Sequence, residues 1–236
     1  MRINKYLALC GAASRRKAEQ LVLDGRVQIN GKKVDALACD VGDNDTVSLD
    51  GKKVEPIHKH IYLMVNKPKG FICTVSDEKD RKTVMELVPQ KYKDKRLFPV
   101  GRLDYDTEGL LLMTTDGDFC NRLMHPRNEI PKTYAARIEG DITEDELNKI
   151  RAGVILDGRK TNRCKAKVVA ADGKVSRVEI VISEGRNRQV RRMFEAINRE
   201  VVFLKRVAIG DIRLGGLGRG LVRELTPDEV EYLRRV

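Results

Sequence analysis

No C-x-x-C pair occurs anywhere in these 236 residues. The five cysteines, Cys10, Cys39, Cys73, Cys120 and Cys164, are widely spaced and odd in number. That pattern argues against a disulfide framework or a zinc site and for a reducing compartment. Histidine is scarce, with three in the chain. His58 and His60 flank Lys59 with no acid or thiol nearby, the setting of surface residues rather than metal ligands. No apolar run approaches the ~20 residues needed to cross a bilayer. "YLALCGAAS" has the apolarity of a signal segment, but "RRKAEQLVLDGR" continues it as an amphipathic helix rather than a cleavage site. The expected compartment is the cytoplasm, with no membrane partner and no metal. Internal repeats and low-complexity segments are also absent.

Positive charge is abundant. Lysine and arginine number 46 against 35 acids, a formal charge of +11. Such an excess suits phosphate neutralisation on a nucleic acid, although solubility alone would also account for it.

Two pieces follow one another along the chain. In the first, Ile3, Tyr6, Leu7 and Cys10 recur at helical spacing, and Gly11 ends that helix. Ser14 then caps "RRKAEQLVLDG", with Ala18, Leu21 and Val22 on its apolar face and Gly25 at its end. "RVQINGKKV" and "DTVSLDGKKV" read as hairpins around Asn30-Gly31 and Asp50-Gly51. Arg15, Arg16 and Lys17 occupy the first helical turn, where the helix dipole disfavours each cation by ~0.3–1 kcal/mol. Three such placements suit an electropositive helix end that meets phosphate, with Arg26, Lys32 and Lys33 extending the surface. The bland alternative is a solvated basic turn.

"RINKYLALCGAASRRKAEQLVLDGRVQINGKKV" resembles an S4 domain, a small RNA-binding module. The resemblance covers about the first 60 residues and implies binding of structured RNA through the basic helix, without implying catalysis.

After "EPIHKH", read as a short linker, comes a larger piece. "IYLMVNKPKGFICTV" reads as two strands around a Lys-Pro-Lys-Gly turn, and "DFCNRLMHP" as a short helix. "KTYAARIEG" and "VSRVEIVISEG" read as strands. Capping boxes at Thr143/Glu146 and Thr226/Glu229 open two further helices. "NRQVRRMFEAI" carries Val190, Met193, Phe194 and Ile197 at amphipathic spacing. Strands and helices mix without regular βαβ alternation, so the expected class is α+β: a small α-then-β domain at 1–59, then a mixed or antiparallel sheet domain at 60–236.

"GRLDYDTEGLLLMTTDG", residues 101–117, sets Asp104, Asp106, Glu108 and Asp116 around a glycine-led turn and an apolar run. Asp116-Gly117 is most economically a turn and Asp118 a helix cap. Asp106 and Glu108 also suit turn or cap roles. Asp104 differs, because Leu103 and Tyr105 flank it with bulk that would limit water, and Arg102 is close enough to hold it ionised.

The same stretch resembles the catalytic signature of pseudouridine synthases, and the order of the two domains resembles the branch that modifies ribosomal RNA. The likeness extends through "HPRNEIPKTYAARIEG" and "EGRNRQVRRMFEAI" and so over nearly the whole chain. Thr115, where many relatives carry Asn, is the noticeable departure. The resemblance implies that the N1–C1′ bond of a uridine is broken and the base rejoined through C5, with no cofactor. It implies Asp104 as the one acid required at the sugar, acting on C1′ or removing a sugar proton. A glycosidase would need a second carboxylate to activate water. Tyr134 would stack on the uracil, although without the resemblance it reads as a core strand tyrosine. Arg191 would pair with Asp104, with Arg188 and Arg192 as rivals that suit phosphate contacts, and Arg102 would serve the site or the RNA backbone. The target nucleotide would be flipped out to reach the acid while basic residues hold its flanks.

The expected partner is ribosomal RNA or a ribosome assembly intermediate, bound by a monomer, with the large-subunit RNA favoured over the small by the wording of "ASRRKAEQ" and of residues 101–117. The other readings are an rRNA-binding assembly factor with an idle catalytic fold, and a glycosidase that releases uracil.

Overall fold

The first apolar stripe forms helix α1 (Ile3–Leu9), which buries Ile3 and Leu7. Gly11 ends it at φ +71°, a left-handed turn that glycine adopts without strain. Helix α2 (Arg15–Leu23) buries Ala18, Leu21 and Val22. Its cap is Ser14, whose Oγ accepts from the Lys17 amide at 3.1 Å and satisfies a first-turn donor. Strands β1 (Val27–Ile29) and β2 (Lys32–Lys33) form one hairpin, β3 (Val47–Leu49) and β4 (Lys52–Lys53) another. Asn30 and Asp50 take φ +51° and the following glycines +76°, the turn whose twist matches that of the strands. β1 and β3 pair antiparallel, giving the order β2-β1-β3-β4. Ile3, Leu7, Leu21, Val22, Val27 and Val47 share one core. "EPIHKH" is packed rather than free: the Ile57 amide donates to Leu9 O at 3.0 Å.

The computed structural model describes residues 1–236 and separates into two units. The first comprises Met1–Ile61 with Asp94–Leu97 and Thr115–Gly117; the second comprises Tyr62–Lys93, Phe98–Thr114 and Asp118–Val236. No helix is long and apolar enough to cross a membrane.

In the second unit, β5 (Tyr62–Lys67) is the one strand formed where two were expected. Residues 71–75 leave the sheet, and the Leu103 amide donates to Cys73 Sγ at 3.3 Å. That segment bridges Thr83 through Ile72 and touches the 101–107 loop at Cys73, instead of pairing with β5. Strands β6 (Phe98–Val100) and β7 (Glu108–Thr114) flank the same loop, and all seven residues of β7 are buried. Helix α3 (Gly117–Met124) starts one residue before Asp118, which puts that acid inside the first turn rather than at the cap.

The chain continues through β8 (Lys132–Glu139), α4 (Glu144–Ala152), a small hairpin of β9 (Ile155–Leu156) and β10 (Arg159–Lys160), β11 (Lys165–Ala171) and β12 (Val175–Ile182). Then follow α5 (Gln189–Glu195), β13 (Val201–Ile209), β14 (Ile212–Arg213), β15 (Val222–Glu224) and α6 (Pro227–Arg235). Both expected capping boxes are present, on α4 and α6. The large sheet runs β11-β12-β8-β13-β7-β5-β15, with β14 on β13 and β6 on β7. β7 and β13 are its one parallel strand pair, so the sheet is mixed and the fold α+β. Leu110 and Leu112 of β7 pack with Phe119, Leu123, Ile209 and Leu233 beneath α3 and α6. This packing makes β7 a fixed base for the loop that precedes it.

Candidate active site

Residues 101–107 form a loop pinned from below by a buried lysine. Lys67, at 0% exposure, donates from Nζ to Asp104 O at 3.0 Å, Thr107 O at 2.8 Å and Pro68 O at 3.1 Å. Burial pulls its pKa down, and the nearby acids Asp104, Asp106 and Glu108 oppose that pull. The Thr107 amide closes a turn onto Asp104 O at 3.1 Å, and the Gly70 amide donates to Tyr105 O at 2.9 Å. The sequence pattern placed Lys67 in the Lys-Pro-Lys-Gly turn, where a lysine is unremarkable; in the structure it ends β5, buried.

This loop separates the two aspartates. Asp104 is half-buried and lines a cavity of about 280 Å³, together with Tyr134, Arg102, Lys132, Arg188 and Arg206. That volume lies near the lower end of the about 300–1,000 Å³ common for ligand sites, suited to one nucleoside. Asp104 also lines a second, open cavity with Cys73, Arg81, Arg102, Tyr105 and Asn187. Of its two bulky neighbours only Leu103 is buried; Tyr105 is 55% exposed, so it does not screen the acid as expected.

Asp106 faces the other way, into a cavity with Arg188, Arg191 and Arg199. Arg188 donates to both of its carboxylate oxygens, at 3.1 and 3.2 Å. Arg191 Nε lies 3.2 Å from Asp106 Oδ2, Nη2 donates to Asp106 O at 3.1 Å and Nη1 to Val201 O at 2.6 Å. The arginine expected beside Asp104 therefore stands on Asp106. Partial burial raises the Asp106 pKa, but the Arg188 hydrogen bonds and the two arginine charges outweigh it and hold the carboxyl below its ordinary value. Glu108 is neither turn nor cap; it begins β7, buried, and pairs with Arg219 at 3.0 Å.

Arg191 is 7% exposed, so it does turn inward at the edge of the α5 stripe. Arg188 precedes α5 in the left-handed conformation, φ +48°, and this brings it to the cavity rim. Arg192 is committed elsewhere, to Asp157 at 2.6 and 2.9 Å. Tyr134 is 8% exposed on β8, directly opposite Arg206 on β13 and Ile180 on β12. Arg102 is exposed and lines both cavities that Asp104 lines. Lys132 and Arg206 line the same cavity, although no sequence pattern above assigns them to the site. The signal available was Lys132 two residues before Tyr134, on the same strand face, and Arg206 amid an apolar strand.

In the first unit Arg15, Arg16 and Lys17 are all exposed at the start of α2, as is Lys32. Arg26 is exposed as well, but it forms a bidentate pair with Asp50 at 2.8 and 2.6 Å across the two hairpins. Its charge is thereby largely answered within the protein.

A half-buried carboxylate beside a buried tyrosine, in a base-sized cavity walled by cations, is an arrangement for a nucleotide rather than a free sugar. Residues 61–196 match the family model for RNA pseudouridylate synthase, and residues 1–47 match the S4 domain. Ribosomal large subunit pseudouridine synthase B of Bacillus subtilis is 47% identical over 99% of this chain and 95% of its own length. An RNA pseudouridine synthase of Aquifex aeolicus is 43% identical over 99% of this chain and 93% of its own. A crystal structure of a pseudouridylate synthase superposes with a TM-score of 0.71 at 31% identity, covering 99% of both chains. With an S4 domain ahead of a catalytic domain that matches in sequence and in fold, the chain belongs to the RNA pseudouridylate synthase family.

Proposed function

We propose that the protein converts one uridine of large-subunit ribosomal RNA to pseudouridine, with Asp104 as the acid that acts at the sugar. The observation that carries this reading is the presence of Asp104 and Tyr134 in the wall of one cavity sized for a single nucleoside. The target nucleotide leaves the RNA stack and enters this cavity, its base against the Tyr134 ring, its sugar at the carboxylate. Asp104 attacks C1′ or removes the 2′ proton, the N1–C1′ bond breaks, the base turns, and C5 bonds to C1′. Atoms are rearranged within one substrate, so no electron acceptor or donor takes part. Arg191 acts on the loop through Asp106, holding the turn that presents Asp104. Arg102 and Arg188 hold flanking phosphates at the rim.

The basic end of α2, with Lys32, carries the RNA contact of the first unit. The partner is ribosomal RNA, alone or in an assembling particle, bound by a monomer in the cytoplasm. The similarity to the large-subunit enzyme of Bacillus subtilis favours that subunit. Uracil release, the glycosidase outcome, would need a second free carboxylate to activate water. Asp106, the nearest candidate, is tied to Arg188 and Arg191 and faces another cavity.

Tritium release from C5-labelled transcripts of both ribosomal RNAs tests the reading. Wild type should release tritium from the large-subunit transcript, and Asp104→Ala should release none while binding the RNA with wild-type affinity. Release from the small-subunit transcript alone would overturn the subunit. Equal loss of binding and release in the variant would make Asp104 structural.

A further inference from the structure

Six charged side chains line the 280 Å³ cavity: Arg102, Asp104, Lys132, Arg186, Arg188 and Arg206. Arg102 is exposed, Arg188 is paired with Asp106, and Arg186 lies 3.3 Å from Glu184 and donates to the carbonyls of Arg159 and Lys160. Lys132 and Arg206 have no carboxylate partner. Lys132 is half-buried and donates to Ile130 O at 2.9 Å. Arg206 is 3% exposed, donates from Nε to Leu110 O at 2.8 Å, and leaves Nη2 buried with no hydrogen-bond partner.

A buried guanidinium with an unused donor costs stability, and a second cation beside it raises the cost. The Lys132 pKa records that cost, pulled down to about 8 by burial and by the Arg206 charge. The surrounding backbone nevertheless keeps both cations in place. Arg206 faces Tyr134 in the β8–β13 ladder, and a bulge follows between Arg206 and Ala208, an irregularity that re-aims neighbouring side chains. On the other flank Gly109 lies at φ +108°, where an added Cβ would come within 2.1 Å of Arg206 O. Only glycine lets β7 approach β13 there.

We propose that Lys132 and Arg206 hold the negative charge of the detached uracil, through its O2 and O4 oxygens, while the base turns. The inference rests on the isomerisation reading. When the N1–C1′ bond breaks, its electron pair stays with the base, and uracil becomes an anion with charge spread over N1, O2 and O4. This holds whether Asp104 bonds to C1′ or takes the 2′ proton. The pair that forms the C5–C1′ bond comes from the base; C5 then loses a proton and N1 gains one, so charge balances over the reaction. Between those two bonds the anion must be stabilised where water is excluded. Two fixed cations next to the tyrosine that stacks the base meet that need, and the arriving anion answers their charge. They are catalytic residues for the leaving base, as Asp104 is for the sugar.

Single-turnover rates with the full chain in excess over C5-tritiated large-subunit rRNA transcript test this. Lys132→Met should slow tritium release by ~100-fold or more, the scale seen when one preorganised donor is removed, while its affinity for the RNA stays within about threefold. Lys132→Arg keeps the charge and should recover most of the rate. Arg206→Met should behave like Lys132→Met; Lys132, at the start of a strand, supplies the test if the Arg206 variant fails to fold. The same transcript made with 5-fluorouridine separates a charge role from a structural one. Fluorine stabilises the uracil anion, so the deficit of Lys132→Met in forming rearranged nucleoside, read by chromatography after nuclease digestion, should shrink by about tenfold. Equal deficits on the two transcripts, a parallel loss of affinity, or a variant rate within threefold of wild type would each overturn the proposal. A wild type that releases no tritium would overturn the isomerisation itself, a result distinct from any of these.

Discussion

Arg191 Nε lies 3.2 Å from Asp106 Oδ2, and the same guanidinium reaches the Asp106 carbonyl, two residues beyond the acid assigned to the sugar. The buried arginine of α5 thus grips the loop rather than Asp104 itself, and Arg188 clamps the same carboxylate from the rim.

Asp106→Asn should therefore weaken the loop rather than abolish chemistry. It removes two charged contacts and leaves Arg191 without an anion. Because Asp106 is 40% exposed, the stability loss should be about 1–2 kcal/mol, read as a shift in urea midpoint. Tritium release should fall by about tenfold and remain measurable, in contrast to Asp104→Ala. Complete inactivity with unchanged stability would reassign the catalytic carboxylate to Asp106.

Lys67→Met tests the support beneath that loop. It leaves the carbonyls of Asp104, Thr107 and Pro68 without their shared donor, at a cost of about 2–4 kcal/mol by chemical denaturation. The surviving folded enzyme should show a lower kcat with little change in RNA affinity, since Lys67 is wholly buried and cannot meet RNA. An unaltered kcat would show that the loop holds its shape without the lysine.

Reversing Arg15, Arg16 and Lys17 to glutamate should raise the Kd for the rRNA transcript by about tenfold or more and flatten its salt dependence. All three are exposed, so thermal stability should hold or improve, the helix dipole now being complemented. Single-turnover release at saturating enzyme should stay near wild type. An unchanged salt slope would place the RNA contact on another surface.

Acid sensitivity should be visible at Glu146. Arg199 hydrogen-bonds its carboxylate at 2.8 and 3.0 Å, and the Thr143 amide adds a third bond. Together they bring its pKa down to about 2. A carboxyl whose folded pKa is depressed stabilises the fold above its unfolded value, near 4.3, and loses that contribution as pH falls toward 2. Glu146→Gln should thus be less stable than wild type at pH 7, and the gap should close between pH 4.5 and 2 in urea melts. A gap independent of pH would assign the effect to the capping box alone.

Local chemistry made much of this protein legible in its residues. Ser14, Thr143 and Thr226 cap helices where their patterns placed them, and Asn30-Gly31 and Asp50-Gly51 turn their hairpins, because caps and tight turns are decided within four residues. The two-part order and the α+β class were legible too, the first from two long motifs, the second from strands and helices without βαβ alternation. A second strand after the Lys-Pro-Lys-Gly turn was expected and is absent, since Ile72 bridges Thr83 and Cys73 accepts from the Leu103 amide of the distant 101–107 loop.

What the residues could not disclose is which charge meets which. The motif at 101–117 singles out Asp104 over Asp106 but not their surroundings: the first lines a nucleoside-sized cavity, and the second meets two arginines 82 and 85 positions away. The roles of Lys67, Lys132 and Arg206 arise from burial, and only the sheet brings Arg206 opposite Tyr134. Turn and cap formation depends on neighbours in sequence; ion pairing and burial depend on distances that exist only once β7, β8 and β13 lie side by side.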